Sequence, residues 1–278
     1  MLRRTFLVTL TALTVSAAAA QSSPQRAPEP SRESILHESI VRMVEQVKRA
    51  DYDGDRAALR RLHDELPTSA AHKSLASRVL YWRGFALWRR AINGFNETPA
   101  PTDLETDLNA AIADFQNAIA QDPANVEPKI GEASCVGYLM YVNRKDQGRA
   151  QELLQRVIPL TKELQAEAPD NPRFLWIMGP VRWSTPPERG GGQDKAFEIY
   201  NRALEIVRKQ KPQSDPLEPS WGEPELLMNR AWSNLNRTTP DLKAAAEDAQ
   251  AALHLVPYWH YVRDILMPQI QAAQAKTH

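Results

Sequence analysis

The sequence predicts an all-α protein built from repeated helix pairs. Apolar residues such as Ile35, Val41, Val44 and Val47 recur at helical spacings, as on one face of an amphipathic helix. Runs that alternate between apolar and polar residues, the pattern of a half-buried strand, are absent. The helical stretches come in pairs that recur at about 35 to 45 residues, which is typical of an α-solenoid. We therefore expect no β-sheet.

The first 20 residues have the three-part layout of a secretory signal peptide. Arg3 and Arg4 precede an uncharged run that ends in alanines, and we predict cleavage after Ala20. The run is too weakly apolar to favour a permanent membrane anchor, so we expect a periplasmic or secreted protein. The Sec route is favoured, although Arg3, Arg4, Phe6 and Leu7 also fit the core of a twin-arginine signal.

The remaining chain divides into three predicted parts. Residues 21–33 contain Pro24, Pro28 and Pro30 and are predicted to form a flexible polar lead. Residues 34–257 carry the helical periodicity and form the repeat domain. Residues 258–278 hold one further helix and a tail; an apolar side with Ile265 and a polar side allow this helix to cap the stack.

One motif recurs within the repeat domain. Residues 109–123, reading NAAIADFQNAIAQDP, place two small residues around a phenylalanine and end in proline, at steps of four, three and five. Small residues let two helices approach closely, the larger residue fills the space between repeats, and proline ends the helix. The full spacing recurs at Ala245, Ala249, Ala252 and Pro257, and its first three positions recur at Ala196, Tyr200 and Ala203.

This motif resembles the second helix of a tetratricopeptide repeat (TPR), and residues 81–88, reading YWRGFALW, resemble the first helix. The sequence is therefore identified as a TPR protein. The resemblance implies a right-handed α-solenoid of about five imperfect helix pairs with a C-terminal capping helix. The export signal, the layout and residues 190–203 also loosely resemble the periplasmic TPR components that accompany TRAP-type transporters.

The resemblance also implies which side chains face a ligand, because the first helices of TPR pairs line the concave face. A register set on Gly84, Ala133, Gly179 and Ala231 gives nine candidate partner-binding or ligand-binding residues. They are Arg78, Tyr81, Phe85, Trp88, Arg89, Tyr138, Trp176, Trp183 and Trp232. Such aromatic area suits an extended peptide, an apolar segment or a flat small ligand, and the arginines suit a carboxylate. The alternative is that these aromatic side chains pack between helices as core.

Residues 179–194, reading GPVRWSTPPERGGGQD, form the most irregular stretch, with three prolines and four glycines. A long link here is able to cross the groove or carry a binding function, but a simple connector is favoured. The triple glycine lacks the ending of a phosphate-binding loop. Asp194 is predicted to cap the next helix.

No pattern indicates catalysis. The six histidines include no pair spaced by three or four residues, and no G-x-S-x-G turn is present. We therefore expect a protein that is not an enzyme, with no metal and no cofactor. His260 and Asp264 are four apart and are predicted to pair on the terminal helix. The single cysteine, Cys135, is predicted to be a small buried residue.

Charge excludes one class of partner. The chain has 34 basic and 34 acidic residues, and removal of the predicted signal peptide leaves a small acidic excess, so we expect no nucleic-acid partner. Two functions remain. The first is an exported scaffold that binds a peptide or protein partner in an aromatic-lined concave groove. The alternative is a small-ligand carrier or transporter accessory whose repeats enclose a solute.

Overall fold

The computed structural model describes residues 32–68, 73–98 and 100–276, and contains no strand in these ranges. The predicted signal peptide and all but residues 32 and 33 of the predicted lead lie outside them. A 3₁₀ turn, Pro187–Arg189, and a π-helical stretch, Tyr261–Leu266, accompany the α-helices. The α-helices are α1 Arg32–Asp53, α2 Arg56–Glu65, α3 Lys73–Gly94, α4 Leu104–Gln121, α5 Val126–Val142, α6 Gln147–Glu167, α7 Pro172–Ser184, α8 Gln193–Lys209, α9 Glu223–Asn236, α10 Leu242–Leu255 and α11 Met267–Ala275.

The helices pack as five successive pairs in two layers. Each odd-numbered helix from α1 to α9 packs against the even-numbered helix that follows it, and those from α1 to α7 also contact the next odd-numbered helix. We call the layer of odd-numbered helices the inner layer, and the side of it that faces the link between α8 and α9 the inner face. Helix α11 packs on α10 through the buried Ile270. The all-α architecture of helix pairs with a terminal cap, predicted from the sequence, is confirmed.

Glycines bring the helices of neighbouring pairs together around Phe115, which is fully buried on α4. A Cβ atom added at Gly84 on α3 would lie 2.8 Å from the Phe115 ring, and one at Gly131 on α5 would lie 2.4 Å from it. Gly179 on α7 has the same relationship to Tyr200 on α8, at 2.0 Å. Large side chains of the even-numbered helices therefore pack against glycines of the odd-numbered helices, as the predicted pattern of small and large residues implies.

The ends of the helix stack meet through aromatic contacts. The Tyr52 ring at the end of α1 lies edge-on to Trp259, with ring centroids 5.1 Å apart, and to Tyr258, at 6.2 Å. The Arg49 guanidinium lies 3.8 Å from the centre of the Tyr258 ring. His260 approaches Gly54 closely enough that an added Cβ would lie 3.1 Å from its ring. The first helix thus packs against the segment that follows the fifth pair.

The stretch at residues 179–194 is more regular than predicted, since α7 continues through Ser184. The remainder folds back on the end of α7, where the Gly192 N–H donates to the Arg182 carbonyl oxygen over 2.8 Å. Gly190 has a left-handed φ of +79°, which glycine adopts without strain. The stretch is therefore a connector between α7 and α8. The prediction that Asp194 caps α8 is wrong, because the helix begins at Gln193 and Asp194 lies in its first turn.

Candidate functional site on the inner face

Residues 210–222, which link α8 to α9, are the feature that shapes the inner face. We call them the inner segment. Links between helices are usually a few residues long, whereas this one extends from residue 210 to residue 222 and contains no helix or strand. Its Leu217 side chain is fully buried, and Trp221 is only 6% exposed. The segment therefore fills part of the surface that the sequence predicted as an open groove.

Side chains of α3 and α7 form hydrogen bonds with the second half of the inner segment. The Trp82 Nε1–H donates to the carbonyl oxygen of Leu217 over 2.8 Å. The Trp221 Nε1–H donates to the Tyr81 phenolic oxygen over 2.9 Å. Arg173 Nη1 donates to the carbonyl oxygen of Trp221 over 3.2 Å. The segment is therefore bound to helices of the second and fourth pairs.

Two carboxylates anchor the middle of the inner segment. Asp215 pairs with Arg78, and its Oδ1 lies 3.3 Å from His37 Nε2. Glu218 Oε1 lies 3.4 Å from Arg78 Nη1. Burial alone would raise the pKa of Asp215, but the Leu217 N–H and the charges of Arg78 and His37 outweigh it and hold this pKa below its usual value. Asp215 is therefore a carboxylate at neutral pH.

Two tryptophans of the inner layer pack around Trp221 at the end of the segment. The rings of Trp88, Trp176 and Trp221 lie edge-to-face, with centroid separations from 5.3 to 5.9 Å. The indole N–H groups of Trp88 and Trp176 have no hydrogen-bond partner among the described residues. Their position inside an aromatic cluster suits weak N–H contacts with ring faces. This part of the inner face is packed as tightly as a core.

A buried ion cluster lies beside the tryptophans. Arg89 Nε donates to Asp51 over 2.8 Å, and Arg89 Nη2 lies 3.9 Å from Glu225 Oε1. The Tyr52 hydroxyl donates to Glu225 over 2.6 Å. Burial raises the pKa of Glu225 although the Arg89 charge opposes it. Arg89 therefore binds a carboxylate of its own chain, and its Nη1 is left without a partner within the described ranges.

A second buried ion pair fixes the starts of α5 and α7. Arg173 makes a two-pronged contact with Glu127, with Nε–Oε2 and Nη2–Oε1 distances of 2.7 and 2.6 Å. The Asn171 amide donates to Glu127 as well, over 2.7 Å. Because the same arginine also holds the Trp221 carbonyl oxygen, this pair orients the end of the inner segment.

A cavity of about 320 Å³ remains between α1 and the inner segment. Tyr52, Phe85 and Trp221 give it apolar walls, and the buried carboxylate of Asp51 gives it a polar one. The other lining residues are Glu45, Lys48, Ser220 and Pro224. The volume lies at the lower end of the range for small-molecule sites.

The nine residues predicted from the register fall into two groups. Five are buried and contact the inner segment or the ion cluster beside it: Tyr81, Phe85, Trp88, Arg89 and Trp176. These five side chains are therefore packed as core. Arg78 is half-buried and binds the inner segment. Tyr138, Trp183 and Trp232 lie outside this covered part, towards the carboxyl ends of their helices.

The second group lies in two aromatic clusters near the carboxyl ends of the inner-layer helices: Phe95, Tyr138 and Tyr141 at α3 and α5, and Trp183 and Trp232 on α7 and α9. We call these five residues together the aromatic rim. Trp183 lies edge-on to Trp232 at 5.7 Å, and Phe95 stacks on Tyr138 at 5.4 Å. Trp232 is 38% exposed and Tyr141 is 55% exposed. Burial raises the pKa of Tyr138 to about 12, so its phenol stays protonated at neutral pH.

Comparison with known proteins identifies the architecture. No family model and no curated protein sequence matches the chain. A thermophilic TPR protein from Thermus thermophilus matches in structure with a TM-score of 0.52 and 16% identity, over 86% of this chain and 99% of that one. The fold is TPR-like. The HusA haemophore from Porphyromonas gingivalis also matches, with a TM-score of 0.56 and 17% identity, over 76% of this chain and 100% of that one.

The TPR-like fold assigns the inner layer to the first helices of the repeats and the outer layer to the second helices. Association with a TRAP transporter stays a prediction. No helix in the described ranges has both the length and the apolar character that crossing a bilayer requires.

Sequence reasoning missed the inner segment, although a signal for it exists. Residues 209–222, reading KQKPQSDPLEPSWG, contain three prolines and no helical periodicity. Such a link is longer than the short turn that is sufficient to connect two TPR-like pairs. A tryptophan at its end indicates that part of the link is buried. These three observations together predict a segment that packs back on the repeats.

Proposed function

We propose that this protein is an exported TPR-like scaffold that binds a peptide or protein partner on the inner face, with the aromatic rim as the contact surface. The observation that carries the proposal is the Trp183–Trp232 pair, whose rings lie 5.7 Å apart while Trp232 stays 38% exposed. The TPR-like fold supports a scaffold role and not an enzymatic one. Residues 1–20 support export.

The chemistry of the rim suits an apolar or aromatic segment of a partner. Tryptophan and tyrosine offer large contact areas and lose little rotamer entropy on binding, so they dominate the energetics of many interfaces. The Arg144 guanidinium lies 4.4 Å from the centre of the Tyr141 ring and adds a cation beside the apolar area. The partner side chain that fits is apolar with a polar or acidic neighbour.

The test compares a rim variant with a matched surface variant. Trp183→Ala with Trp232→Ala removes the central pair, and Leu255→Ala removes an exposed apolar side chain from the outer helix α10. The mature protein and both variants are used to capture partners from periplasmic extract, and binding of the captured partner is then measured with purified proteins. We expect at least a tenfold loss of affinity in the rim variant alone. Unchanged affinity with intact helical content contradicts the proposal.

A second candidate, a small-ligand carrier, is favoured by the cavity beside Tyr52, Phe85 and Trp221. A protein with the same fold is described as a haemophore, which makes haem a suitable first probe. Ser220→Trp is designed to fill the cavity from its exposed edge without changing the rim. Native mass spectrometry of the purified protein and a haem titration followed by absorbance decide this candidate. If the wild type retains a ligand and the Ser220→Trp variant does not, the result supports a carrier.

A further inference from the structure

The inner segment is held on the helices by side-chain contacts. Among the described residues, no backbone hydrogen bond joins residues 211–221 to a helix. The contacts run through side chains instead: Trp82 and Arg173 donate to carbonyl oxygens of the segment, and Arg78 binds its carboxylates. Side-chain recognition of this kind is available to any segment that presents the same groups.

The chemistry of the segment follows from these contacts. An acidic residue at position 215 meets Arg78 and His37, an apolar residue at 217 is fully buried, and an indole at 221 enters the tryptophan cluster. The first part, residues 210–214, is exposed. The recognised pattern is therefore an acidic residue, an apolar residue two positions later, and an aromatic residue four positions after that.

We infer that the inner segment is an internal ligand that exchanges with a partner segment of this acidic and aromatic pattern. The inference rests on the proposed function and specifies the partner that the inner face takes. The segment is joined to α8 at one end and to α9 at the other, so it stays attached to the protein when it leaves the inner face. It therefore competes with a partner segment at a high effective concentration. A partner that engages the aromatic rim as well gains the extra contacts needed to replace it.

The experiment uses a labelled synthetic peptide of residues 212–222, PQSDPLEPSWG, and the mature protein. Asp215→Ala with Glu218→Ala removes the ion pairs of the resident segment but keeps Leu217 and Trp221. We expect this variant to bind the peptide about three- to tenfold more tightly than the wild type, because partly exposed ion pairs contribute modestly. A peptide with alanine at the position of Trp221 is expected to bind neither protein.

The matched control protein carries Glu188→Ala and Glu247→Ala, which remove two carboxylates outside the inner segment. It is expected to bind the peptide as weakly as the wild type. A folded Asp215→Ala, Glu218→Ala variant that binds the peptide no more tightly than the wild type overturns the inference. This outcome is separate from failure of the proposed function, which is measured on the rim with the natural partner.

A second measurement needs no variant. Hydrogen exchange of the wild type reports whether residues 210–222 open before the helices do. The indole N–H groups of Trp82 and Trp221 form the hydrogen bonds that join the segment to α3. Their exchange at a lower opening free energy than the backbone amides of α3 supports an exchangeable segment. Their exchange only together with global unfolding makes the segment a permanent part of the core and overturns the inference.

Discussion

The indole N–H of Trp221 donates to the phenolic oxygen of Tyr81 over 2.9 Å, although the two residues are 140 positions apart in the chain. Both side chains are buried, and the bond joins the link before α9 to the middle of α3. Because both side chains are buried, loss of this hydrogen bond would leave a buried polar group without its partner. The bond therefore couples the second and fifth helix pairs.

Substitution of Trp221 separates its ring contacts from its hydrogen bond. Trp221→Phe keeps much of the packing and removes the N–H, so we expect a loss of about 1 kcal/mol in the free energy of unfolding. Trp221→Ala leaves a cavity and is expected to cost about 3 to 5 kcal/mol. Urea denaturation measures both values, with Leu255→Ala on the exposed surface as control. Equal losses for the two substitutions at Trp221 would contradict the assignment.

Removal of one partner from the Arg173–Glu127 pair leaves a buried charge. Both side chains are almost completely buried and make two hydrogen bonds to each other. Arg173→Met is expected to lower the free energy of unfolding by about 3 to 5 kcal/mol. The double variant with Glu127→Leu is expected to recover part of this loss, because no charge is then left unpaired. Chemical denaturation of the two single variants and the double variant tests this non-additivity.

Two helical glycines give opposite results with the same substitution. At Gly179, an added Cβ would lie 2.0 Å from the Tyr200 ring, so Gly179→Ala is expected to destabilise the protein by about 1 to 3 kcal/mol. At Gly137, nothing lies within 4 Å of an added Cβ, and Gly137→Ala is expected to stabilise α5 by up to about 1 kcal/mol. Thermal melting curves compare the two. A destabilised Gly137→Ala variant would refute this account of α5.

Cys135 is expected to be inert in the folded protein. Its side chain is fully buried on α5, and burial raises the pKa of its thiol well above the ordinary value, so the reactive thiolate is scarce. A thiol reagent is therefore expected to label it at the rate at which the protein unfolds, and rapidly in denaturant. Fast labelling under native conditions would contradict the packing of α5 around this residue.

The contribution of Asp215 to stability is expected to depend on pH. Because its pKa in the folded protein lies below the ordinary 3.8, this carboxylate stabilises the fold above that pH. The contribution falls as pH decreases through the lowered folded pKa. The stability difference between the wild type and Asp215→Asn should therefore be constant near neutral pH and shrink below about pH 4. A difference that grows on acidification would reverse the sign of the proposed interaction.

The repeat architecture follows from the sequence because it depends on local spacing. Phe115 between Ala111 and Ala118 predicts a helix with one large residue among small ones, and the structure buries all three. The complementary glycines at 84 and 131 lie in the flanking helices. Contacts of this kind lie within one or two repeats, so periodicity is sufficient to predict them.

The covered part of the inner face does not follow from the repeat register. The register implies inward-facing side chains such as Trp88 and Trp176, but it does not predict what lies opposite them. Trp221 supplies that contact from a segment that belongs to no repeat. Trp88 is consequently unsuitable for a binding test, because its truncation removes a fully buried side chain. Trp183 and Trp232 keep the exposure that such a test requires.

The contact of Tyr52 with Trp259 changes how the protein is expected to unfold. In an open array each repeat touches only its neighbours, so the terminal repeats fray first and several partly unfolded states are populated. Here the terminal pairs stabilise each other, and neither is free to melt alone. Unfolding of either terminal pair removes contacts that stabilise the other. The protein is therefore expected to unfold in one cooperative transition, like a closed ring of repeats and unlike a linear array.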